Sequence, residues 1–350
     1  MASAAQKRIK SISYAKYGYY FILPFFIVYF FFQLWPLINT FLLAFQENIS
    51  KSDEVNYVGF ENFKILLFGG DKRPMKMAHE SFFDALGNTF ILWIGNFIPQ
   101  IILSLSLAVW FTDAKLKIPG KGFFKIVMYL PNIITAASVS VLFLQLCGQS
   151  KDAPGAVNAL MQSMGFLGEG EVVEFVDGVW ESRGVVMFIQ TWMWFGNTMI
   201  MLMSGIMGIN PSLFEAASID GASGGQTFRK ITLPLLSPIM AYTLVTSMIG
   251  GLQMFDIPYL YHKDPNKVNE SLETVAVYIY GLFHPSNGGK IQYGYSGAAS
   301  VLLFIITLAL GLIALHLTRD KDEIAKKKQR KAAAKQLKLE NSKKFGGMSI

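Results

Sequence analysis

Long uncharged apolar stretches alternate with short charged segments along most of the chain. Six stretches of at least 25 residues contain no Asp, Glu, Lys or Arg, and they are residues 17–46, 85–112, 126–150, 184–214, 231–255 and 291–318. A helix of about 20 apolar residues crosses the hydrocarbon core of a bilayer, and buried helices of soluble proteins seldom run that far without a charge. The pattern therefore predicts an all-α membrane protein with six transmembrane helices.

The composition supports the same class of protein. Of the 350 residues, 52% are hydrophobic and only 16% are charged, which is unlike a soluble globular domain. The first apolar stretch is too long for a cleaved signal peptide and follows Lys7, Arg8 and Lys10, so we expect a retained membrane anchor. The single cysteine, Cys147, excludes an internal disulfide and a cysteine metal cluster, and we expect no metal site.

The positions of the basic residues predict the orientation. If both termini are cytoplasmic, the inner segments carry 21 of the 31 Lys and Arg residues, eleven of them after residue 318. An excess of bases near cytoplasmic helix ends favours this arrangement. We therefore expect a basic cytoplasmic N-terminus (1–16), a six-helix transmembrane domain (17–318) and a basic cytoplasmic tail (319–350). Such a tail suits the anionic inner leaflet, so we do not expect nucleic-acid binding.

One inner loop, residues 209–234, is long enough to have its own structure. Ser212, with Glu215 three positions later, forms an S-x-x-E capping box that predicts a helix over 213–220, about 12 Å long. Gly221 then ends it, because glycine tolerates the left-handed conformation at a helix end. Residues 223–226 repeat the cap as S-x-x-Q and predict a second short helix through residue 231.

The side chains of this loop are unusually small. Pro234 can open the fifth span, where its missing N–H costs nothing. In the first helix Leu213, Phe214 and Ala217 can gather on one side, whereas residues 216–225 are mostly Ala, Ser and Gly. Such a surface holds lipid poorly and lets the backbone of another protein approach. The alternative is an ordinary interfacial helix that rests on the lipid headgroups.

Motifs of enzymes and of nucleotide binding are missing from the sequence. The four histidines are scattered, with no H-E-x-x-H pair, and no G-x-x-x-x-G-K-[ST] segment occurs. A membrane-embedded enzyme is therefore disfavoured. If ATP is used, we expect a partner subunit to bind it, and we expect no cofactor in this chain.

Polar residues near the middle of the apolar stretches are candidates for a solute pathway, because such groups are costly in a membrane. Amides supply hydrogen bonds for the hydroxyl groups of a solute, and aromatic rings pack on its C–H faces. The alternative for each residue is helix-to-helix hydrogen bonding or an interfacial aromatic belt. The candidate substrate-binding residues are Asn96, Gln100, Gln190, Trp192, Trp194 and Asn197 within the second and fourth spans, and Gln253, Asp256 and Tyr259 toward the outer mouth of the fifth.

The inner loop resembles the EAA loop of the membrane subunits of binding-protein-dependent ABC importers. The string EAASIDGASGGQTFRKITLPLLSP is similar to the version in the carbohydrate-uptake, maltose-type permeases. Other strings agree in the expected order: PFFIVYFFFQLWPLINTFLLAF, YVGFENFKILL, GFFKIVMYLPNIIT and GGLQMFDIPYL. The resemblance implies a coupling helix that docks on a cytoplasmic ATPase, with coupling residues Glu215, Ala216, Ala217, Asp220, Gly221, Leu233 and Pro234. For Glu215 a pure capping role stays open beside a direct contact.

The resemblance also implies the partners and the cargo. They are a second, homologous permease subunit, two cytoplasmic ATPase subunits that bind ATP and Mg²⁺, an extracytoplasmic substrate-binding protein and a carbohydrate, expected to be an oligosaccharide. The outer segments 47–83 and 151–183 are the natural docking surface for the binding protein. The expected location is the cytoplasmic (inner) membrane of a prokaryote.

Two alternatives remain. A permease of the same class could carry a polyol or a glycerol phosphate ester, although a phosphate ester would favour Arg or Lys within the spans, and the spans contain neither. An ion-coupled secondary transporter would need ionisable residues deep in the spans, and Asp256 near the outer edge is the only carboxylate close to one.

Overall fold

The chain is almost entirely helical wherever its structure is described. The computed structural model describes residues 15–48, 56–113, 116–148, 154–168, 170–262, 269–285, 289–317 and 333–334. Over these ranges there is no β-strand beyond an isolated bridge between Gln46 and Tyr57. The predicted all-α class is confirmed over these residues. The predictions for 1–16 and 319–350 fall almost wholly outside them.

The helices of the first half are joined by short turns. A π-helical turn, Phe30–Leu34, connects the first two helices, and a 3₁₀ turn, Leu130–Ile133, follows the fifth. The α-helices are α1 (Ala15–Tyr29), α2 (Trp35–Leu43), α3 (Glu61–Phe68), α4 (Arg73–Thr112), α5 (Lys121–Tyr129), α6 (Ala136–Cys147) and α7 (Ala156–Ser163).

The second half contains the inner loop and the last long helices. A π-helical turn, Phe228–Thr232, precedes the eleventh helix, and a 3₁₀ turn, Glu270–Leu272, precedes the thirteenth. The α-helices are α8 (Val179–Met207), α9 (Pro211–Ile219), α10 (Gly224–Thr227), α11 (Leu233–Leu252), α12 (Asp256–Leu260), α13 (Val275–Phe283) and α14 (Tyr293–Leu317).

Five helical segments in the described part of the chain are long and apolar enough to cross a membrane. They are Tyr17–Leu43, Arg73–Thr112, Val179–Met207, Gly224–Leu260 and Tyr293–His316. A sixth candidate is the pair Lys121–Ile133 and Ala136–Cys147, which is bent by 94° at its break. The structure therefore supports a multi-pass membrane protein with five or six spans.

The structure places a sharp bend within the third predicted span, residues 126–150. Pro131 lies in the 3₁₀ turn and has no N–H to donate to a helix. Ile134 and Thr135 are then extended, and the Thr135 hydroxyl accepts a hydrogen bond from the N–H of Ser138 at 3.3 Å. A side chain that caps a new helix at this point ends the preceding one.

The structure divides the chain into two compact units. The first comprises residues 1–84 and 278–304, and the second comprises residues 85–277 and 305–350. In the first unit the Asn62 amide nitrogen donates to the carbonyl oxygens of Ala44 (2.9 Å) and Gln46 (2.7 Å). A Cβ atom on Gly297 would lie 2.5 Å from the Ala44 nitrogen, so only glycine allows α14 to approach the end of α2. The predicted single domain over 17–318 stays a prediction.

Helix α8 is central to the second unit, because it contributes to both of its apolar cores. Val186 and Ile189 are fully buried in one core together with Leu92 of α4. About three to four turns further along, Met199 and Leu202 are fully buried in the other core, which includes Leu236 of α11. Because both halves of α8 are anchored in a core, the residues between them are held in a fixed orientation.

Polar contacts fix a segment of the second unit that follows α12. The Asn88 amide nitrogen donates to two carbonyl oxygens in this segment at 2.8 and 3.1 Å, and Arg183 donates to the carbonyl oxygen of Ser271 at 3.1 Å. The Thr274 hydroxyl donates to the carbonyl oxygen of Met254 at 2.6 Å. These bonds connect the loop to α4, to α8 and to the end of the eleventh helix.

Candidate functional site

The first helix of the inner loop, α9, begins earlier than the sequence predicted. Its N-cap is Asn210, whose side-chain oxygen accepts from the N–H of Ser212 at 3.1 Å, and Pro211 is the first helical residue. The prediction of a capping box at Ser212 and Glu215 is therefore wrong. Proline suits the first helical position because its φ angle is already helical and its missing N–H would have no partner there. Glu215 lies in the second turn, where it cannot cap.

The end of α9 confirms the predicted stop. Gly221 has a φ of +72°, in the left-handed region. Its N–H donates to the carbonyl oxygen of Ser218 at 3.2 Å, and the N–H of Ala222 donates to the carbonyl oxygen of Ala217 at 2.9 Å. This pair of bonds is the Schellman arrangement, which satisfies carbonyl groups left without partners at a helix end. A short, rigid rod results.

Most of the surface of α9 is exposed. Ala217 is buried and Phe214 is half-buried, whereas Leu213, which we expected beside them, is exposed. Glu215 and Ala216 are exposed, and Ile219 retains 87% of its accessible surface. One side of the helix therefore contacts its own chain, and the larger side offers small residues with an apolar residue at the end.

The second cap of the loop is confirmed, but the helix that it starts is longer than predicted. The Ser223 hydroxyl accepts from the N–H of Gln226 at 3.3 Å, and the Gln226 side-chain oxygen accepts from the N–H of Ser223 at 2.8 Å. From Gly224 the chain stays helical through a π-helical turn into α11. Pro234 is thus the second residue of α11 within a continuous helix and does not open a separate one. Leu233 is half-buried and Pro234 is exposed.

A cavity of about 430 Å³ lies within the second unit. Residues from α4, α8, α11 and the start of α12 line it. Its size is within the range of small-molecule sites, 300–1,000 Å³. Of the nine candidate substrate-binding residues, those that line this cavity are Asn96, Gln100, Gln190, Trp194, Asn197, Gln253 and Asp256.

The structure places the two other candidates elsewhere. The Trp192 ring packs against the Phe143 ring at 5.9 Å, beside the apolar core that contains Ile189. The Tyr259 ring stacks on the Phe255 ring at 4.9 Å. Phe255 itself lines the cavity, so Tyr259 supports the lining from behind.

Two of the lining amides also make hydrogen bonds within the protein. The Gln100 amide nitrogen donates to the Thr198 hydroxyl at 2.8 Å and so joins α4 to α8. The Asn96 amide nitrogen donates to the carbonyl oxygen of Leu92 one turn earlier, at 2.9 Å. Both residues are only 6% exposed. Helix-to-helix hydrogen bonding, the alternative that the sequence left open, therefore describes part of the role of Gln100.

The more accessible lining residues combine rings with polar groups. Trp194 is 47% exposed, and Asn197, Gln253 and Asp256 are also exposed. Tryptophan offers a broad apolar face, and the amides offer both donors and acceptors. This combination suits a ligand that has many hydroxyl groups on an otherwise apolar frame.

Sequence reasoning missed the contribution of α11 to the cavity. Tyr242, Thr243, Thr246 and Ser247 line it, and so does Trp93 of α4. The Trp93 indole nitrogen donates to the Ser247 hydroxyl at 3.3 Å. Polar residues spaced four apart on one face of a strongly apolar helix were the signal that could have identified this side.

Two glycines allow the helices around the cavity to approach closely. A Cβ atom on Gly196 of α8 would lie 2.0 Å from the carbonyl oxygen of Met128, which belongs to α5. A Cβ atom on Gly251 would lie 2.0 Å from Cδ1 of Trp93. Side chains at either position would displace residues that line the cavity or the helices that carry them.

Ionisable groups around these sites do not suggest acid–base or metal chemistry. Within the described ranges, no three His, Cys, Asp or Glu side chains are placed to hold a metal ion. Tyr261, just beyond α12, is fully buried and donates to the carbonyl oxygen of Phe175 at 3.3 Å. Burial raises the pKa of its hydroxyl, so Tyr261 remains neutral and acts as an anchor.

Residues 77–319 match a known family, described as the binding-protein-dependent transport system inner membrane component. The match covers more than half of the chain. It includes all the cavity residues and the whole inner loop.

Similar proteins of known name share most of the length of the chain. The arabinooligosaccharides transport system permease protein AraP of Bacillus subtilis is 26% identical over 91% of this chain and 94% of its own length. The lactose transport system permease protein LacF of Rhizobium radiobacter is 26% identical over 92% of this chain and 100% of its own length. The maltodextrin transport system permease protein MdxF of Bacillus subtilis is 29% identical over 85% of this chain and 68% of its own length.

Solved structures share the fold. A bacterial ABC transporter involved in the import of the acidic polysaccharide alginate superposes with a TM-score of 0.72 at 24% identity, covering 89% of this chain and 98% of that chain. A bacterial alginate ABC transporter in complex with an alginate pentasaccharide-bound periplasmic protein gives a TM-score of 0.70 at 24% identity, covering 86% of this chain and 93% of that chain.

Proposed function

The chain belongs to the family of binding-protein-dependent transport system inner membrane components, and on this premise we propose that it is the permease subunit of an ATP-driven importer of an oligosaccharide. The family predicted from the inner loop is confirmed. The observation that carries the proposal is the cavity, in which aromatic rings alternate with amides and hydroxyls. Sugars need both kinds of contact, since hydroxyls require hydrogen bonds and C–H faces pack on rings.

The cargo follows from the cavity together with the relatives. The permeases named above serve arabinooligosaccharide, lactose and maltodextrin transport systems. A volume of about 430 Å³ is small for a long oligosaccharide, so the cavity holds one or two sugar units of a chain at a time. Trp194 and Tyr242 supply the ring faces, and Asn197 and Gln253 supply the hydrogen bonds.

The inner loop couples this cavity to ATP. Helix α9 leads from α8, which carries Trp194 and Asn197, and the following helix α11 carries Tyr242 and Thr246. A partner ATPase seated on the exposed side of α9 would therefore move both helices of the cavity when it closes on ATP. The contacting residues are Glu215, Ala216, Asp220 and Gly221, with Leu233 and Pro234 at the start of α11. Ala217, which we expected among them, is buried and holds α9 against its own chain.

The remaining partners complete the importer. A second, homologous permease subunit, two ATPase subunits that hold ATP and Mg²⁺, and an extracytoplasmic substrate-binding protein assemble with this chain in the inner membrane of a prokaryote. Both termini face the cytoplasm, and the inner loop lies on the same side. The segments 47–83 and 151–183 face outward and receive the binding protein. The similar alginate transporter was solved with a periplasmic protein bound, which supports this arrangement.

Uptake assays separate this proposal from its alternatives. In proteoliposomes that contain the complete complex, we expect oligosaccharide uptake to require ATP, to stop with vanadate and to be insensitive to an ionophore. Uptake that an ionophore abolishes, with no requirement for ATP, would support the ion-coupled alternative. ATP-dependent uptake of a polyol or a glycerol phosphate ester, with no uptake of any oligosaccharide, would change the cargo but leave the class of transporter intact.

A further inference from the structure

The electric charge of the cavity lining points to a narrower class of cargo. We propose that this permease selects uncharged oligosaccharides and discriminates against acidic ones, such as oligosaccharides of uronic acids or phosphorylated sugars. The inference rests on the proposed function, because it concerns the same cavity. It adds a property that the family as a whole does not determine.

The lining contains one charged side chain among the described residues. That residue is Asp256, an exposed carboxylate at the start of α12, beside Phe255 and close to Gln253. The described lining residues include no lysine, arginine or histidine. Every other polar lining group is a neutral amide or hydroxyl, or the indole nitrogen of a tryptophan.

An acidic sugar would lose its hydration in this cavity without a counter-charge in return. Moving a carboxylate or phosphate out of water is costly unless a cation or several strong donors replace the water. Proteins that bind such groups use arginine or lysine, since charge-assisted hydrogen bonds are about twice as strong as neutral ones. The described lining offers no such cation. It offers the carboxylate of Asp256, which repels an approaching anion.

A neutral sugar meets none of these costs. Its hydroxyls can exchange water for the amides of Gln190, Asn197 and Gln253 and the hydroxyl of Thr246, all of which line the cavity. Amide and hydroxyl groups both donate and accept, so they suit hydroxyl groups in either role. Trp194 and Tyr242, 47% and 60% exposed, offer ring faces for the C–H surfaces.

Fluorescence titration of the purified complex in nanodiscs tests the inference, because two of the six tryptophans, Trp93 and Trp194, line the cavity. The probes are three matched trisaccharide pairs: glucose with glucuronate, galactose with galacturonate, and mannose with mannuronate units, each pair sharing its linkage. We expect at least one neutral member to bind about tenfold or more tightly than its acidic partner, a difference of ~1.4 kcal/mol. Trp194→Phe should remove most of the signal.

A charge variant then tests the role of Asp256. Asp256→Lys changes the local charge by two units and should shift the ratio of neutral to acidic affinity by about tenfold towards the acid, as expected for charges a few ångströms apart near a wet surface. Glu270→Lys is the matched control, because Glu270 is an exposed acid of the same unit that lies outside the cavity and outside the segments proposed to receive the binding protein. This control should leave the ratio unchanged.

The outcomes distinguish the inference from the proposed function. Acidic members that bind as tightly as their neutral partners, or more tightly, overturn the charge selectivity while leaving an oligosaccharide importer. An unchanged ratio of neutral to acidic affinity in Asp256→Lys would show that Asp256 does not contribute to the charge selectivity. If no pair binds and the same complex shows ATP-dependent uptake of a different class of solute, the proposed function itself is wrong, and the inference falls with it.

Discussion

Helix α9 and the cavity are built in opposite ways, although the same two helices connect them. Helix α9 depends on its own caps, with Asn210 at its start and Gly221 at its end, and most of its surface is exposed. The cavity depends on contacts between residues far apart in the chain, such as the bond from Gln100 to Thr198, 98 positions away. A change on α9 therefore tests a partner surface, whereas a change in the cavity alters binding and stability together.

The largest effect is expected from Gly221→Trp, which should separate the two regions. No heavy atom lies within 4 Å of a Cβ atom built on Gly221, so a side chain there starts in open space and a bulky indole would obstruct a docked partner. The left-handed backbone there costs a non-glycine residue ~1–2 kcal/mol. We expect sugar uptake to fall by about 100-fold, at the upper range of coupling free energies, while sugar binding in the cavity is retained. Uptake and ATP hydrolysis in proteoliposomes measure the loss.

Gly221→Ala is the control for this variant. Alanine carries the same backbone strain without the bulk, so it should retain most of the uptake. Full uptake by the tryptophan variant, with normal assembly of the complex, would contradict docking at this position.

The next largest effect is expected in the cavity itself. Replacing Trp194 and Asn197 together by alanine removes a ring face and an amide, and should weaken sugar binding by about tenfold or more, or ~1.4 kcal/mol. ATP hydrolysis without sugar should change little. Trp110→Ala is the matched control, because Trp110 is an exposed tryptophan of a spanning helix outside the cavity. Unchanged affinity in the double variant would exclude this cavity as the sugar site.

A smaller effect, on stability, is expected from the close approach at Gly196. In Gly196→Ala the new methyl group would meet the backbone of Met128, which must shift at a cost of ~1–3 kcal/mol. The melting temperature of the complex should fall. Gly184→Ala on the same helix meets no atom within 4 Å and should be neutral or stabilising by ~0.5–1 kcal/mol, because alanine favours helix. Equal melting temperatures for the two variants would contradict the close approach of α8 to the backbone of Met128.

The smallest effect is expected at the second cap of the inner loop. Ser223→Ala removes the hydroxyl that accepts from Gln226 and should cost ~1 kcal/mol of local helix stability. Amide hydrogen exchange over 224–227 should become faster, while sugar affinity stays unchanged. Ser237→Ala, an exposed serine within α11, serves as the control. Ser237→Ala should leave the exchange rate over 224–227 unchanged. An exchange rate that is the same in both variants would show that the cap contributes nothing.

The contrast also explains how much the sequence could predict. The stop at Gly221 and the cap at Ser223 were predicted correctly because both depend on neighbouring residues alone. The start of α9 was misplaced by two residues, because the sequence contains two possible N-caps. Asn210, followed by Pro211 at the first helical position, is the N-cap in the structure, and Ser212 is not. The exact position of the break at Ile134 and Thr135 could not be predicted, because an uncharged stretch indicates only the length of an apolar segment.

The cavity could be predicted only in part. Polar residues within α4 and α8 stood out against an apolar background, so Asn96, Gln100 and Asn197 were identified as candidates. Their mutual proximity depends on packing around α8 and on Gly196 and Gly251, which no local pattern reveals. Trp192 was indistinguishable from Trp194 in sequence, although only Trp194 lines the cavity.

Labelling of a cysteine on α9 tests the central claim, that this helix docks an ATPase subunit. Ala216 is exposed, and the only native cysteine, Cys147, is buried and can be replaced by serine. In that background and without the binding protein, a maleimide should label Ala216→Cys at least tenfold more slowly with the ATPase subunits bound than without them. Phe166→Cys, which is 70% exposed and lies in a segment proposed to face outward, should label equally in both states. Equal labelling at position 216 with and without bound ATPase subunits would contradict the docking of α9.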